Sequence, residues 1–296
     1  MAGKDLEERK LTSEEHWDVV WGRVVPKQAT EGGPKSLIKR LVGKKLLEYR
    51  FNYFDYLVWE VIFPRVLPRT EGLKVVEVGS APGTILVRFN KEFGYEPYGI
   101  EYSNEGVEAN RRVFADNGIN PENVIHADLF SPDCMQYNNS FDVVISWSFV
   151  EHFSDSEDVI KRHVDLVKDD GFLIIIVPNL RGLNYLLMKL LRPGWKQIHQ
   201  FGIMDKNRLR SIAENAGVST LHCAYIGIFN LGAIEIAPTC PLHFLTKVAR
   251  TLQLGVNIFY RLVFPKKGPE HRYLSPYLVY VGQKKALQSR SSDRKG

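Results

Sequence analysis

A few short stretches of this 296-residue chain hold the residues able to do chemistry. In Glu77-Val78-Gly79-Ser80-Ala81-Pro82-Gly83-Thr84, an apolar run feeds a Gly-x-x-x-Gly bend. Glycine at both points lets the backbone turn sharply and lets a ligand lie against it with no Cβ in the way. Further on come Glu101, Tyr102 and Ser103. A carboxylate at a strand end can accept both hydroxyls of a ribose. Asp128-Leu129 places an acid beside an apolar side chain, a pair that can read the amino group of an adenine and flank its ring. Ser146-Trp147-Ser148-Phe149-Val150-Glu151-His152-Phe153 ends in a histidine, which titrates where a general base is useful. His199, in Lys196-Gln197-Ile198-His199-Gln200, is a second candidate base.

These positions need elements to hold them. Residues 73–78, 97–101, 124–127, 141–147, 172–178, 219–225 and 277–283 are apolar runs that predict strands, the fifth apolar throughout, as in a strand covered on both faces. Helical patterns fall between them over 84–93, 104–117, 156–168 and 205–216. Strand–helix alternation predicts an α/β fold with a doubly wound, mostly parallel, seven-stranded sheet. In such sheets ligands bind at the carboxyl ends of the strands, near the switch point. Ahead of the core, Trp17 and Trp21 share one face of a short helix that either docks on the core or lids a ligand. The apolar positions of 35–63 make one amphipathic helix, or two broken near Gly43, with basic residues along the first half. The domain reading is a helical cap segment over 1–70, a core over 71–225, an apolar and basic insertion over 226–275, the last core strand over 276–284 and a basic tail over 285–296.

The glycine bend departs from the dinucleotide pattern. Gly-x-Gly-x-x-Gly would present helix-start amides to a pyrophosphate. Here Ala81 stands where that pattern wants glycine, Pro82 offers no amide, and Glu77 suits a cationic or amino-bearing ligand better than a diphosphate. The order of the motifs resembles the class I S-adenosylmethionine-dependent methyltransferases, in the small-molecule branch that includes the quinone-biosynthesis O-methyltransferases. The resemblance covers residues 72–180 well and extends loosely to 225. It implies a Rossmann-like methyltransferase fold with S-adenosyl-L-methionine as cofactor. Gly79, Ser80, Ala81 and Gly83 would form the loop under the methionine and ribose parts. Glu77 would orient that loop and approach the amino group. Glu101 would bind the ribose hydroxyls, with Tyr102 and Ser103 beside the adenosine, and Asp128 and Leu129 would hold the adenine. Ser146 and Trp147 would lie near the reacting sulfonium. Pro82 departs from the commoner small or polar residue of this loop.

Methyl transfer from a sulfonium needs a nucleophile held in line at about 3–3.5 Å, with water kept out. His152 and His199 are the candidate bases for a phenol, hydroxyl or amine acceptor; Glu151-His152 starting a helix is the plainer alternative, and O-methylation is favoured over N- or C-methylation. His126, His163 and His222 read as packing or surface residues. No Asn/Asp-Pro-Pro-aromatic signature follows the fourth strand, which counts against nucleic-acid bases as acceptors. The segments over 179–203 and 226–275 interleave Leu, Phe and Tyr with Lys and Arg. They predict either a cap for a partly hydrophobic small-molecule acceptor, with peripheral contact to a membrane, or a second small core or dimer face. A non-catalytic binding or scaffold protein on the same fold is the competing class, and a nicotinamide-dependent oxidoreductase the other.

Composition frames these readings. Apolar residues are 44% and charged residues 25%, with 23 Gly and 15 Pro, which excludes collagen-like and disordered chains. The net charge of +5 is mild, and much of it sits at the C-terminal end. Three widely spaced cysteines make neither a disulfide framework nor a metal pair, so a reducing, cytoplasmic setting and no metal are expected. The charged start MAGKDLEERK predicts no signal peptide, and no apolar run is long enough to predict a membrane span.

Overall fold

The computed structural model describes residues 10–22, 52–191, 195–228 and 246–286. The first half of the expected amphipathic helix over 35–63, the residues around Cys240 and the end of the basic tail lie outside them.

The strands are β1 (Lys74–Val78), β2 (Glu96–Glu101), β3 (Val124–His126), β4 (Phe141–Trp147), β5 (Val167–Pro178), β6 (Val218–Ile226) and β7 (Tyr277–Lys284). They form one seven-stranded sheet in the order β3-β2-β1-β4-β5-β7-β6. β1 through β5 pair in parallel, whereas β7 runs antiparallel between β5 and β6. The chain steps outward from β1 to β3 and then returns to place β4 on the other side of β1. The crevice of such a sheet therefore opens where β1 and β4 end.

Strand residues alternate between two cores, as the two-residue period of a pleated strand requires. Leu173, Ile175 and Val177 face one core with Val76 and Val144, while Ile174 and Ile176 face the other with Val75 and Val143. The first core is covered by α5 (Ser156–Leu166) and α7 (Lys206–Asn215). The second is covered by α3 (Thr84–Phe93), α4 (Asn104–Asp116) and a helical run here called α2. That run passes from Tyr53–Tyr56 through the wider turns of Leu57–Ile62 into Phe63–Val66, with the Phe63 N–H donating five residues back to the Val58 carbonyl. Trp59, Phe63, Phe89, Phe93 and Tyr95 interlock there as a buried aromatic cluster.

β5 differs from the sequence reading. It begins at Val167, before Gly171, so α5 stops at Leu166. Val167 pairs with Phe141, and Asp170 turns the strand through φ 60° before Phe172 resumes the register against Val143. A polar Lys-Asp-Asp-Gly run hides this early strand start. Two elements flank the crevice from outside the core: α1 (Glu14–Gly22) and α6 (Leu183–Leu191). A long helix, α8 (Thr246–Val263), precedes β7.

Candidate active site

The carboxyl ends of β1, β2 and β4 meet the N-terminal strap around one cavity of about 480 Å³. Glu77 lies near the end of β1, buried, with one carboxylate oxygen unpartnered. Its pKa is raised well above the usual carboxylate range, first by burial and then by the charge of Glu101. Beyond it, Gly79 takes φ 71°, and an added Cβ there would run into the Phe149 ring. Gly83, at φ 91°, starts α3 and sits against the Asn110 side chain. Both glycines are thus required by left-handed backbone and by close neighbours. The backbone N–H groups of Gly79 and Ser80 donate to the Ile100 carbonyl, so these amides tie the bend to β2. The Ser80 hydroxyl accepts from Asn110 Nδ2 at 2.6 Å.

Glu101 organises the end of β2. Its Oε1 accepts from the N–H groups of Tyr102 and Ser103 and from the Ser103 hydroxyl, each at 3.0 Å, and its Oε2 accepts from the Ala81 N–H at 3.3 Å. Burial raises its pKa, and these donors oppose that shift.

The structure divides the remaining sequence candidates. Glu77, Gly79, Ser80, Ala81, Gly83, Glu101, Tyr102, Trp147, His152 and His199 all line the cavity. Asp128 and Leu129 line a smaller adjoining recess, which shares Gly79, Tyr102, Phe149 and His152 with the cavity. Ser103 and Ser146 line neither. Ser103 Oγ is turned into the N-terminus of α4, where it accepts from the Gly106 N–H at 3.2 Å, the usual work of a serine N-cap. Ser146 is fully buried within the sheet with its hydroxyl unpartnered.

Past β4, Ser148 adopts φ 56°, uncommon for a residue with a side chain. This turn folds Phe149–Phe153 back over the crevice. His152 Nδ1 lies 2.7 Å from the Ile198 carbonyl. A carbonyl only accepts, so Nδ1 carries a hydrogen, and the neutral form of the ring has its lone pair on Nε2. The His152 and His199 ring centroids are 5.0 Å apart. Next to His152, Glu151 is fully buried, and burial pushes its pKa up to about 8. His163 is a packing histidine: its Nδ1 sits 2.7 Å from the Val159 carbonyl, and burial lowers its pKa to about 4. Among the described residues, no group of three or more His, Cys, Asp or Glu could hold a metal ion.

Sequence reasoning missed Lys10, His16, Met188 and Tyr277. Lys10 pairs with Asp128 and lies over the Tyr102 ring, 4.3 Å from its centroid. The next residue, Leu11, donates its N–H to the His152 carbonyl at 2.8 Å. α1 then crosses onto α4, where Asp18 accepts from the Glu105 N–H at 3.0 Å. Trp17 meets the His152 ring edge-on at 5.1 Å and stacks with Trp21, so this helix both docks on the core and roofs the cavity. Tyr277 could have been found by its position: it opens the last strand, and its partner in the sheet is Pro178, at the cavity end of β5.

A methyltransferase-domain family model matches residues 47–222, more than half of the chain. The chain belongs to this family and is a class I S-adenosylmethionine-dependent methyltransferase, with S-adenosylmethionine as its cofactor. Solved structures with a similar fold include a chain from a complex of the Haloferax volcanii Trm112 methyltransferase activator. It is 17% identical, with 84% of this chain and 96% of that chain covered and a TM-score of 0.50. A methyltransferase from Thermotoga maritima is 16% identical, with 84% and 99% covered and a TM-score of 0.50. At these identities the likeness is one of fold.

Proposed function

We propose that this methyltransferase transfers its methyl group to a hydroxyl of a small, partly apolar acceptor bound in the cavity, with His152 as the general base. The observation that carries the reading is the shared cavity: the glycine bend, Glu77 and Glu101 form walls of the same space as Trp147, His152 and His199. Its volume of about 480 Å³ suits a small-molecule site.

The residues present fit the cofactor. Glu77 offers an unpartnered buried carboxylate oxygen to an ammonium group. Glu101 Oε2 holds a single long hydrogen bond and can accept from a ribose diol. Asp128 and Leu129 flank the recess assigned to the adenine, and Gly79, Ser80, Ala81 and Gly83 form the floor between. Bound S-adenosylmethionine supplies a methyl carbon already activated by the positive sulfur. His152 Nε2 takes the acceptor's proton, its tautomer fixed by the Ile198 carbonyl. His199 lies beside it as the second candidate. Trp17, Trp147 and Phe149 exclude water from the reacting atoms.

Peripheral contact with a lipid surface belongs to the same proposal. Leu186 and Leu190 on α6, and Leu252, Phe259, Leu262 and Val263 on α8, are exposed, and Lys266 and Lys267 follow α8 on the surface. Among the described residues no helix is long and apolar enough to cross a membrane. Flotation with anionic vesicles at low salt tests the contact: the protein rises with the vesicles, and its remaining at the bottom overturns the contact.

Calorimetry with S-adenosylhomocysteine tests the cofactor site, and release of S-adenosylhomocysteine against a panel of phenols and alcohols tests the chemistry. His152→Asn lowers kcat by roughly 10²–10⁴-fold, with S-adenosylhomocysteine still bound. Wild-type protein giving no heat with S-adenosylhomocysteine overturns the proposed site, and a fully active His152→Asn variant overturns the base.

A further inference from the structure

The main cavity is one-sided in charge. Among the described residues lining it, Glu77, Glu101 and Glu151 are acids, and none is lysine or arginine. Lys10 belongs to the adjoining recess and is paired with Asp128. Three acids exceed what the proposed cofactor contacts use. Glu101 already accepts from four donors. Glu77 sits under the glycine bend, where the ammonium of the cofactor is assigned. Glu151 is left over, and it stands next to the proposed base.

Glu151 is 0% exposed, and among the described residues neither of its carboxylate oxygens has a hydrogen-bond partner on another residue. Leaving a buried polar group unpaired costs free energy, and leaving it charged costs much more, so burial favours the protonated carboxyl at neutral pH. Among the described residues, the groups facing it are His152, whose Nε2 is 3.9 Å from Oε1, and Tyr277, whose hydroxyl pKa an ionised Glu151 would help to raise. Neither supplies a permanent cation. The walls of the same cavity include the aromatic rings of Trp17, Trp147, Phe149 and Tyr277. A desolvated carboxylate among aromatic faces is the composition that attracts an organic ammonium, by ion pairing and by the ring quadrupoles together.

We infer that Glu151 anchors the acceptor, and that the acceptor is a hydroxylated amine entering as an ammonium ion. This deepens the reading given under Proposed function and rests on it: the ammonium pairs with Glu151 while the hydroxyl meets His152. Pairing requires the carboxylate, so the proton of Glu151 leaves to solvent as the amine binds.

The test is calorimetry on full-length protein loaded with S-adenosylhomocysteine. Tyramine and 3-hydroxybenzylamine are compared with their uncharged counterparts 4-propylphenol and 3-ethylphenol. At least one amine binds tenfold or more tightly than its counterpart, and Glu151→Gln reduces that preference to twofold or less with S-adenosylhomocysteine affinity unchanged. In wild-type protein, the heat of amine binding differs between phosphate and Tris buffers by a net proton release that the phenols do not show. Equal binding of amines and phenols, no binding by either, or a preference that survives Glu151→Gln overturns the anchor. Failure of S-adenosylhomocysteine itself to bind overturns the parent reading instead, and is read in the loading step.

Discussion

Glu101→Gln is the substitution whose consequence the geometry fixes most closely. Three donors converge on Oε1 and a single, longer one reaches Oε2. The glutamine oxygen must therefore stay at the Oε1 position, because an NH₂ there would face the N–H groups of Tyr102 and Ser103. The NH₂ then takes the Oε2 position, pointing a donor at the Ala81 N–H and at the proposed ribose site. A bound diol loses one charge-assisted acceptor, worth about 1.5–3 kcal/mol. That is roughly 10–150-fold in Kd for S-adenosylhomocysteine. Fold stability moves much less, by about 1 kcal/mol or under, because weaker bonds at Oε1 are offset by relief of the burial that raises the Glu101 pKa. Calorimetry and a thermal melt on the same preparation separate the two quantities. A Kd within threefold of wild type, with the melt unchanged, refutes the assignment of Glu101 to the cofactor diol.

Other substitutions read different parts of the same arrangement. Gly83→Ala forces a side chain onto a left-handed residue and drives its Cβ into Asn110, so urea unfolding should show a loss of about 2–4 kcal/mol; an unchanged midpoint contradicts the crowding. Burial raises the folded-state pKa of Glu151 from 4.5 to about 8, so the folded protein holds a proton that the unfolded chain releases above pH 4.5. Its contribution to stability is complete below pH 4.5, falls as pH rises, and is gone above about 8. His163 works in the opposite direction, since its lowered folded-state pKa of about 4 removes stability as pH falls below 6.5. The difference between Glu151→Gln and wild type cancels the histidine. The variant should gain melting temperature relative to wild type between pH 5 and pH 8.5, and parallel melting curves across that range contradict the burial.

Much of the sheet is legible in the sequence because buried strands are written as uninterrupted apolar runs. Ile174, Ile175 and Ile176 can belong to nothing but a strand covered on both sides, and the Val75–Gly83 segment shows both the strand and the bend that ends it. The boundary at Val167 is not legible, since a strand that starts in Lys-Asp-Asp-Gly looks like a loop until Phe141 is seen beside it. The candidate site divides the same way. Residues at strand ends could be placed, because topology brings the ends of adjacent strands together whatever lies between them in sequence. Ser103 and Ser146 are exceptions with a common cause: period and position locate a backbone, but the rotamer is decided by neighbours, an open helix N-terminus in one case and a closed sheet interior in the other.

The strap obeys a different rule, and it explains why Lys10 could not be placed from the sequence. Lys10 and Asp128 are 118 residues apart and on no shared element, so no periodicity relates them. What relates them is charge and closure. A recess with an acid at its rim gains from any cation that can reach it, and the Leu11 N–H bond to the His152 carbonyl brings Lys10 within reach. The same bond ties the roof of the cavity to the proposed base. Movement of the strap to admit a ligand therefore tugs on His152 and loosens Lys10 from Asp128 together. On the proposed assignment, the adenine side of the crevice and the acceptor side are coupled through residues 10–17, and calorimetry should show a Lys10→Ala substitution altering binding on both sides, where one at Ser80 should alter one.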